Sequence, residues 1–252
     1  MLFERELDPI RIFNWCGYEW RTSERWGLAH PDKPYVWYDP DCAKVIGDEL
    51  HLYIKKDPKE IIGDTYRLHA TYGCGLLSST ENNPMFKFGT YEWVAKLPKG
   101  KNLWPALWMW SFDSWPPEID VVEAFSNCNG GYFKFNHKWK LFQWNVQTNF
   151  HVEGAKWNMA QCVPILKGCF KDPAKNFITY KLVWTPNYIE FYYDGVMIRR
   201  SDDKDLMKYL DDNTKKGMNV IMNTHPTDKY CDDHVSDPFI IKSFKYTPLE
   251  TA

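Results

Sequence analysis

The chain has 252 residues, with 31 Lys and Arg against 33 Asp and Glu, a formal charge of −2. So balanced a charge supplies no global field for nucleic acid or an anionic lipid surface, and no apolar run approaches the roughly twenty residues that a spanning helix needs. An aromatic content of 17%, with 13 Trp, 15 Tyr and 15 Phe, suits a single large all-β domain over residues 1–252.

Short alternating runs follow one another along the chain: Val36–Tyr38, Leu50–Ile54, Tyr91–Leu97, Phe177–Trp184, Ile189–Tyr193 and Phe239–Tyr246. β-Branched and aromatic residues at period two fit a pleated surface with one buried face. Turn signals separate the runs at Pro98-Lys99-Gly100, Thr185-Pro186-Asn187 and Asp194-Gly195, a rhythm that predicts a β-sandwich. One short helix is predicted, over Lys204–Leu210, and there is no internal repeat or low-complexity tract. At the start, Met1-Leu2-Phe3-Glu4-Arg5-Glu6 places charges where a leader's apolar core would follow. The expectation is therefore an extracellular or periplasmic protein whose leader has been removed, or one exported by another route. Seven cysteines (Cys16, Cys42, Cys74, Cys128, Cys162, Cys169 and Cys231) leave at least one unpaired, and none has zinc-site spacing. Buried free thiols are expected for most.

The segment Glu118-Ile119-Asp120-Val121-Val122-Glu123 sets three carboxylates among strand-forming apolar residues. Side chains alternate along a strand, so Glu118 and Asp120 share a face and Glu123 should point away from it. A β-bulge at Val121-Val122 would return Glu123 to that face. Three acids on one face suit glycosidic bond cleavage, which needs a protonated acid at the leaving oxygen and an ionised carboxylate at the anomeric carbon. Asp120, between them, would hold a proton or hydrogen bond and separate their pKa values. The same spacing also occurs where acids form the solvent face of an amphipathic edge strand.

The bulged motif resembles the active-site segment of glycoside hydrolase family 16, the laminarinase, agarase and carrageenase group. Phe88–Pro98, Trp104-Pro105-Ala106-Leu107-Trp108-Met109, Thr179–Pro186 and Ile189–Gly195 are similar to further family segments, in the family's order. The likeness runs over roughly residues 70–246, and before it only Phe13-Asn14 corresponds. It implies a β-jelly roll of two antiparallel sheets with a concave substrate cleft. It also implies a retaining mechanism with Glu118 as nucleophile, Glu123 as general acid/base and Asp120 tuning both. His151 corresponds to a histidine facing the acids, able to hydrogen-bond the catalytic acid and adjust its pKa. Glu92, Asn14 and Asn223 match positions that bind sugar hydroxyls; each could equally satisfy nearby backbone. Of Trp104, Trp108, Trp110 and Trp115, at least two are expected in the core, and Trp104 and Trp115 are the choices for stacking on sugar rings.

Departures from the family pattern fall where substrate is chosen. Val94 stands in place of an arginine, Ile178 in place of a frequent histidine, and Asn223-Thr224-His225-Pro226 in place of a glycine-rich continuation. Ile241 replaces an aspartate that helps to bind structural calcium, so neither metal nor cofactor is expected. In Tyr132–Lys140, lysines at 134, 138 and 140 alternate with aromatics. This is either a basic wall for sulfated galactans or an amphipathic hairpin with a solvated lysine face. The reading favoured is an endo-acting retaining hydrolase of a β-1,3-containing glucan. A galactan hydrolase is the alternative, and a non-catalytic carbohydrate-binding jelly roll the alternative of another class. The expected partner is a polysaccharide, with no nucleic acid, no membrane and a monomeric chain.

Overall fold

The computed structural model describes residues 10–25, 27–30, 32–62, 67–136, 141–153, 161–164, 171–227 and 237–250. Strands β1 to β6 are Ile12–Trp15, Tyr18–Arg21, Val36–Tyr38, Ala43–Ile46, Glu49–Leu52 and Ile54–Ile62. Strands β7 to β12 are Arg67–Cys74, Leu76–Ser79, Gly89–Lys96, Leu103–Ser111, Glu118–Ala124 and Phe133–Asn136. Strands β13 to β17 are Leu141–His151, Gln161–Pro164, Ile178–Trp184, Ile189–Tyr193 and Val196–Ser201. Helix α1, Lys204–Asp212, precedes β18, Met218–Pro226, and β19, Phe239–Pro248.

Two antiparallel sheets face each other. One has nine strands, ordered β1-β2-β8-β18-β10-β11-β13-β12 with β14 also on β13, and the other seven, ordered β17-β16-β15-β9-β19-β5-β4. A third sheet, β3-β7-β6, includes the parallel pair β3 and β7. Between the two large sheets, Leu107, Met109, Ile119, Val121 and Val122 meet Tyr91, Trp93, Tyr180, Leu182 and Trp184 in the main core. Each such side chain contributes about 1.5–3 kcal/mol on burial. Among the described residues no helix is long and apolar enough to cross a membrane.

Local signals account for the joins. Asp194 and Gly195 both take positive φ, +46° and +79°, as the tight turn between β16 and β17 requires. At α1, the Asp203 carboxylate accepts from the N–H groups of Asp205 and Leu206 at 3.0 and 3.1 Å, capping donors that a helix start leaves unpaired. The helix runs two residues beyond its predicted end, to Asp212, and buries Leu206, Met207 and Leu210.

The β9 alternation places Tyr91, Trp93 and Ala95 in the core, which turns Glu92 and Val94 to the outer face of the seven-stranded sheet. Glu92 lies there between Lys181 and Lys245 in register. The expected role of Glu92 at sugar hydroxyls is therefore corrected: it sits on the wrong sheet and the wrong face. The Val94 replacement for the same reason removes nothing from the cleft. Cys42 and Cys74 are buried free thiols, whereas Cys16 and Cys128 are exposed ones.

Candidate active site

Four neighbouring strands of the nine-stranded sheet present their non-core face as a cleft of about 620 Å³. Register builds it in rows. Trp110, Glu118 and His151 form one row, Trp108, Asp120 and Asn149 the next. Asn223, Ala106, Glu123 and Gln147 make a third, and His225 with Trp104 a fourth.

The bulge is what puts all three acids in these rows. Asp120 is level with Asn149 and Glu123 with Gln147, so Val121 and Val122 together oppose the single residue Thr148. Against β10, Asp120 pairs with Trp108 and Val122 with Leu107, leaving Val121 without a register partner. Both valines are fully buried in the core. The faces therefore run cleft, core, cleft, core, core, cleft from Glu118 to Glu123, as the sequence predicts. The carbonyl of the extra residue is held from the opposite sheet, where the Tyr193 hydroxyl donates to Val121 O at 2.7 Å.

Asp120 is 2% exposed and within hydrogen-bonding reach of both Glu118 and Glu123. Burial, then the neighbouring Glu123 charge, push its carboxyl well above the ordinary range. Burial, then the charge of Asp120, do the same to Glu118, against the pull of His151 and of the Trp115 N–H. Glu118 and Asp120, each raised by burial and by a neighbouring acid, do not both ionise readily, and the pair retains a proton. The donors around the three acids decide where charge collects. Trp115 Nε1 donates to Glu118 Oε2 at 2.7 Å, and the Gln147 amide donates to Glu123 Oε2 at 3.3 Å. Among the described residues Asp120 Oδ2 is buried without a hydrogen-bond donor, so the proton is best held on Asp120. The His151 ring stands beside both acids. Asn149 Oδ1 accepts from the Phe150 N–H at 2.9 Å, which turns its amide nitrogen toward His151 Nε2 at 3.1 Å. His151 Nε2 also lies 3.3 Å from Asp120 Oδ2 and 3.5 Å from Glu118 Oε1. These two acids and His151 offer ligand atoms within 4.8 Å of one another, but an acidic cluster alone does not make a metal centre.

Trp104, Trp115, His151 and Asn223 line the cleft as expected, and Asn223 Oδ1 accepts from Trp108 Nε1 at 2.7 Å. Asn14 does not join them; it is exposed on β1, at the edge of the sheet. All four tryptophans line the cleft; of the two or more expected in the core, Trp110 alone is a member of a buried cluster, with Trp108 packed against it. Trp110 packs there against Tyr38, Leu76 and Ile221. Trp115 is the most open of the four, at 61% exposure. Lys134 is exposed and does not line the cleft; residues 137–140 of the same stretch lie outside the described residues.

The sequence reading missed a wall made by Glu24, His30, Asp32, Tyr38 and His225. Burial lowers both histidines, His30 to about 4 and His225 to about 3, so both rings are neutral near pH 7. His225 Nδ1 lies 3.0 Å from Pro226 O and donates to it, leaving Nε2 an acceptor. His30 Nδ1 accepts from the Asp32 N–H at 3.1 Å, leaving Nε2 a donor. The rings meet edge to face at 5.0 Å, and His225 meets Trp104 at 4.8 Å. The departure at His225 gave a signal; His30 and Glu24 lie in no periodic run.

A bulged acid strand on the open face of a two-sheet antiparallel sandwich defines the class. The profile of glycosyl hydrolases family 16 matches residues 33–236, and the chain belongs to that family. It is 30% identical over 161 residues to a beta-1,3-glucan-binding protein of Penaeus monodon, covering 54% of this chain and 41% of that one. It is 27% identical over 179 residues to glucan endo-1,3-beta-glucosidase A1 of Niallia circulans, covering 68% and 24%. The chain thus spans less than half the length of either relative. In structure it is similar to the catalytic domain of an endo-1,3-beta-glucanase (laminarinase) from Thermotoga petrophila RKU-1, with a TM-score of 0.65, 20% identity, and coverage of 86% of this chain and 84% of that one. The sandwich is accordingly a β-jelly roll.

Proposed function

We propose that this protein is an endo-acting, retaining hydrolase of a β-linked glucan containing β-1,3 bonds. The observation that carries the reading is the bulge at Val121-Val122, which turns Glu118, Asp120 and Glu123 into one tryptophan-lined cleft. Glu118 attacks the anomeric carbon while Glu123 protonates the departing glycosidic oxygen, giving a glycosyl-enzyme ester. Glu123 then takes a proton from water, whose oxygen attacks the same carbon and releases Glu118. With a proton on Asp120, Glu118 is relieved of the adjacent charge that most raises it and can ionise to act as nucleophile.

Family membership and the printed names of the relatives support a β-glucan. The cleft supports a neutral one: its described lining includes five acids (Glu24, Asp32, Glu118, Asp120 and Glu123) and neither Lys nor Arg. A sulfated galactan would find no cation in that described lining to pair with its sulfates. A second reading, a glucan-binding protein without turnover, is favoured by the name of the Penaeus monodon relative. Reducing-sugar release from laminarin, mixed-linkage glucan, agarose, porphyran and carrageenan separates the readings. Laminarin should be cut, and Glu118→Gln should lower the rate by about a thousandfold or more while leaving oligosaccharide binding largely intact. Binding without turnover in the native chain would favour the second reading, and a Glu118→Gln variant of near-native rate would remove the assigned nucleophile.

A further inference from the structure

The reaction proposed above leaves two acids of the cleft unused, Asp32 and Glu24, and of these Glu24 is the buried one. Glu24 is 1% exposed and lines the cleft with Tyr38 and Trp110. Neither of its carboxyl oxygens has a hydrogen-bond partner among the described residues, although buried carboxyl groups are ordinarily paired. The main chain holds the side chain in place. The N–H of Glu24 donates to Gly27 O and the N–H of Gly27 to Glu24 O, both at 3.1 Å. Gly27 takes a φ of +119°, where a residue with a side chain would be strained, and the Ser78 hydroxyl donates to the adjoining Ser23 carbonyl at 2.8 Å. Trp110, level with Glu118 in register, lines the same cleft as both acids.

A fixed, unpartnered polar group facing an open cleft is a site waiting for a ligand's polar atoms. We propose that Glu24 is a sugar-recognition residue, whose two buried oxygens take hydroxyl groups of the sugar bound on the Glu118 side. The proposal deepens the glucan reading and rests on it. Burial, then the Glu118 charge, push the Glu24 carboxyl up to about 8. At neutral pH the group is therefore a carboxylic acid, with one donor and one acceptor to match a hydroxyl pair. A glutamine offers the same pair, whereas a methionine of similar length offers neither.

The test is laminarihexaose binding by titration calorimetry in the Glu118→Gln background, together with kcat and KM on laminarin in the otherwise native chain. Glu24→Met should fold, weaken binding about tenfold or more and raise KM by a similar factor. Glu24→Gln should stay within about threefold of its parent in both. A purely structural role would leave binding by the folded Glu24→Met chain unchanged, and that result overturns this inference alone. If the Glu118→Gln parent itself does not bind laminarihexaose, the glucan reading falls and this inference with it.

Discussion

An acid buried without partners should destabilise the native chain, and Glu24→Gln exposes that cost through its pH dependence. The carboxyl titrates at 4.5 in an ordinary setting and at about 8 in the fold, so between those values the native state holds a proton that the unfolded state has released. The folded pKa is raised, so native stability falls as pH rises from 4.5 toward 8. At pH 7 the gap traversed is about 2.5 pH units, and at about 1.36 kcal/mol per unit this is about 3 kcal/mol relative to acid pH. The charged groups bearing on Glu24 are Glu118 and Arg21, and its own charge bears on Tyr38. All three remain in the variant, so their titrations largely cancel in the comparison. Urea unfolding of native and Glu24→Gln chains at pH 4 and pH 7 should show a stability difference that grows by about 3 kcal/mol in favour of glutamine. That is about 6 °C in Tm for a chain of this length. A difference that is the same at both pH values would refute the reasoning, because it would mean that Glu24 ionises alike in the folded and unfolded chains.

Tyr193→Phe should destabilise by about 1–3 kcal/mol in urea, since it strands the buried Val121 carbonyl, and should lower kcat about tenfold or more by loosening the Glu123 orientation. Trp115→Phe keeps a ring but removes the N–H that pulls the Glu118 carboxyl downward. The acid limb of kcat/KM for laminarin should consequently move to higher pH, and an unmoved limb would show that this hydrogen bond does not tune Glu118. Azide added to Glu118→Ala should restore bond cleavage and give the α-glycosyl azide, whereas with Glu123→Ala it should give the β-azide. The opposite assignment of products by NMR would exchange the two roles.

The acid strand was legible because its faces are tied to its residue types. Ile119, Val121 and Val122 need the core and Glu118, Asp120 and Glu123 shun it, and a single extra residue satisfies all six. Glu92 misled for a related reason. Alternation within β9 fixes which residues share a face, but which sheet the strand joins depends on its pairing with β15 and β19, and local sequence does not carry that information. The tryptophans were only partly legible, because Trp104, Ala106, Trp108 and Trp110 keep strict period two on the cleft face, where Trp110 is also buried, while Leu103, Leu107 and Met109 supply the opposite face; large apolar volume alone gave no such division. Glu24 and His30 come from irregular chain between β2 and β3, where no period exists to mark a side chain as buried. Only the fold, by bringing them against β10 and β18, makes them part of the site.

Proton NMR of the anomeric signals during the first minutes of laminarin hydrolysis, before mutarotation, tests the central claim most directly. If the bulge sets Glu118 and Glu123 at nucleophile and acid/base distance, the new reducing ends appear first as the β-anomer. Initial release of the α-anomer, or no new reducing ends from laminarin at all, would contradict it.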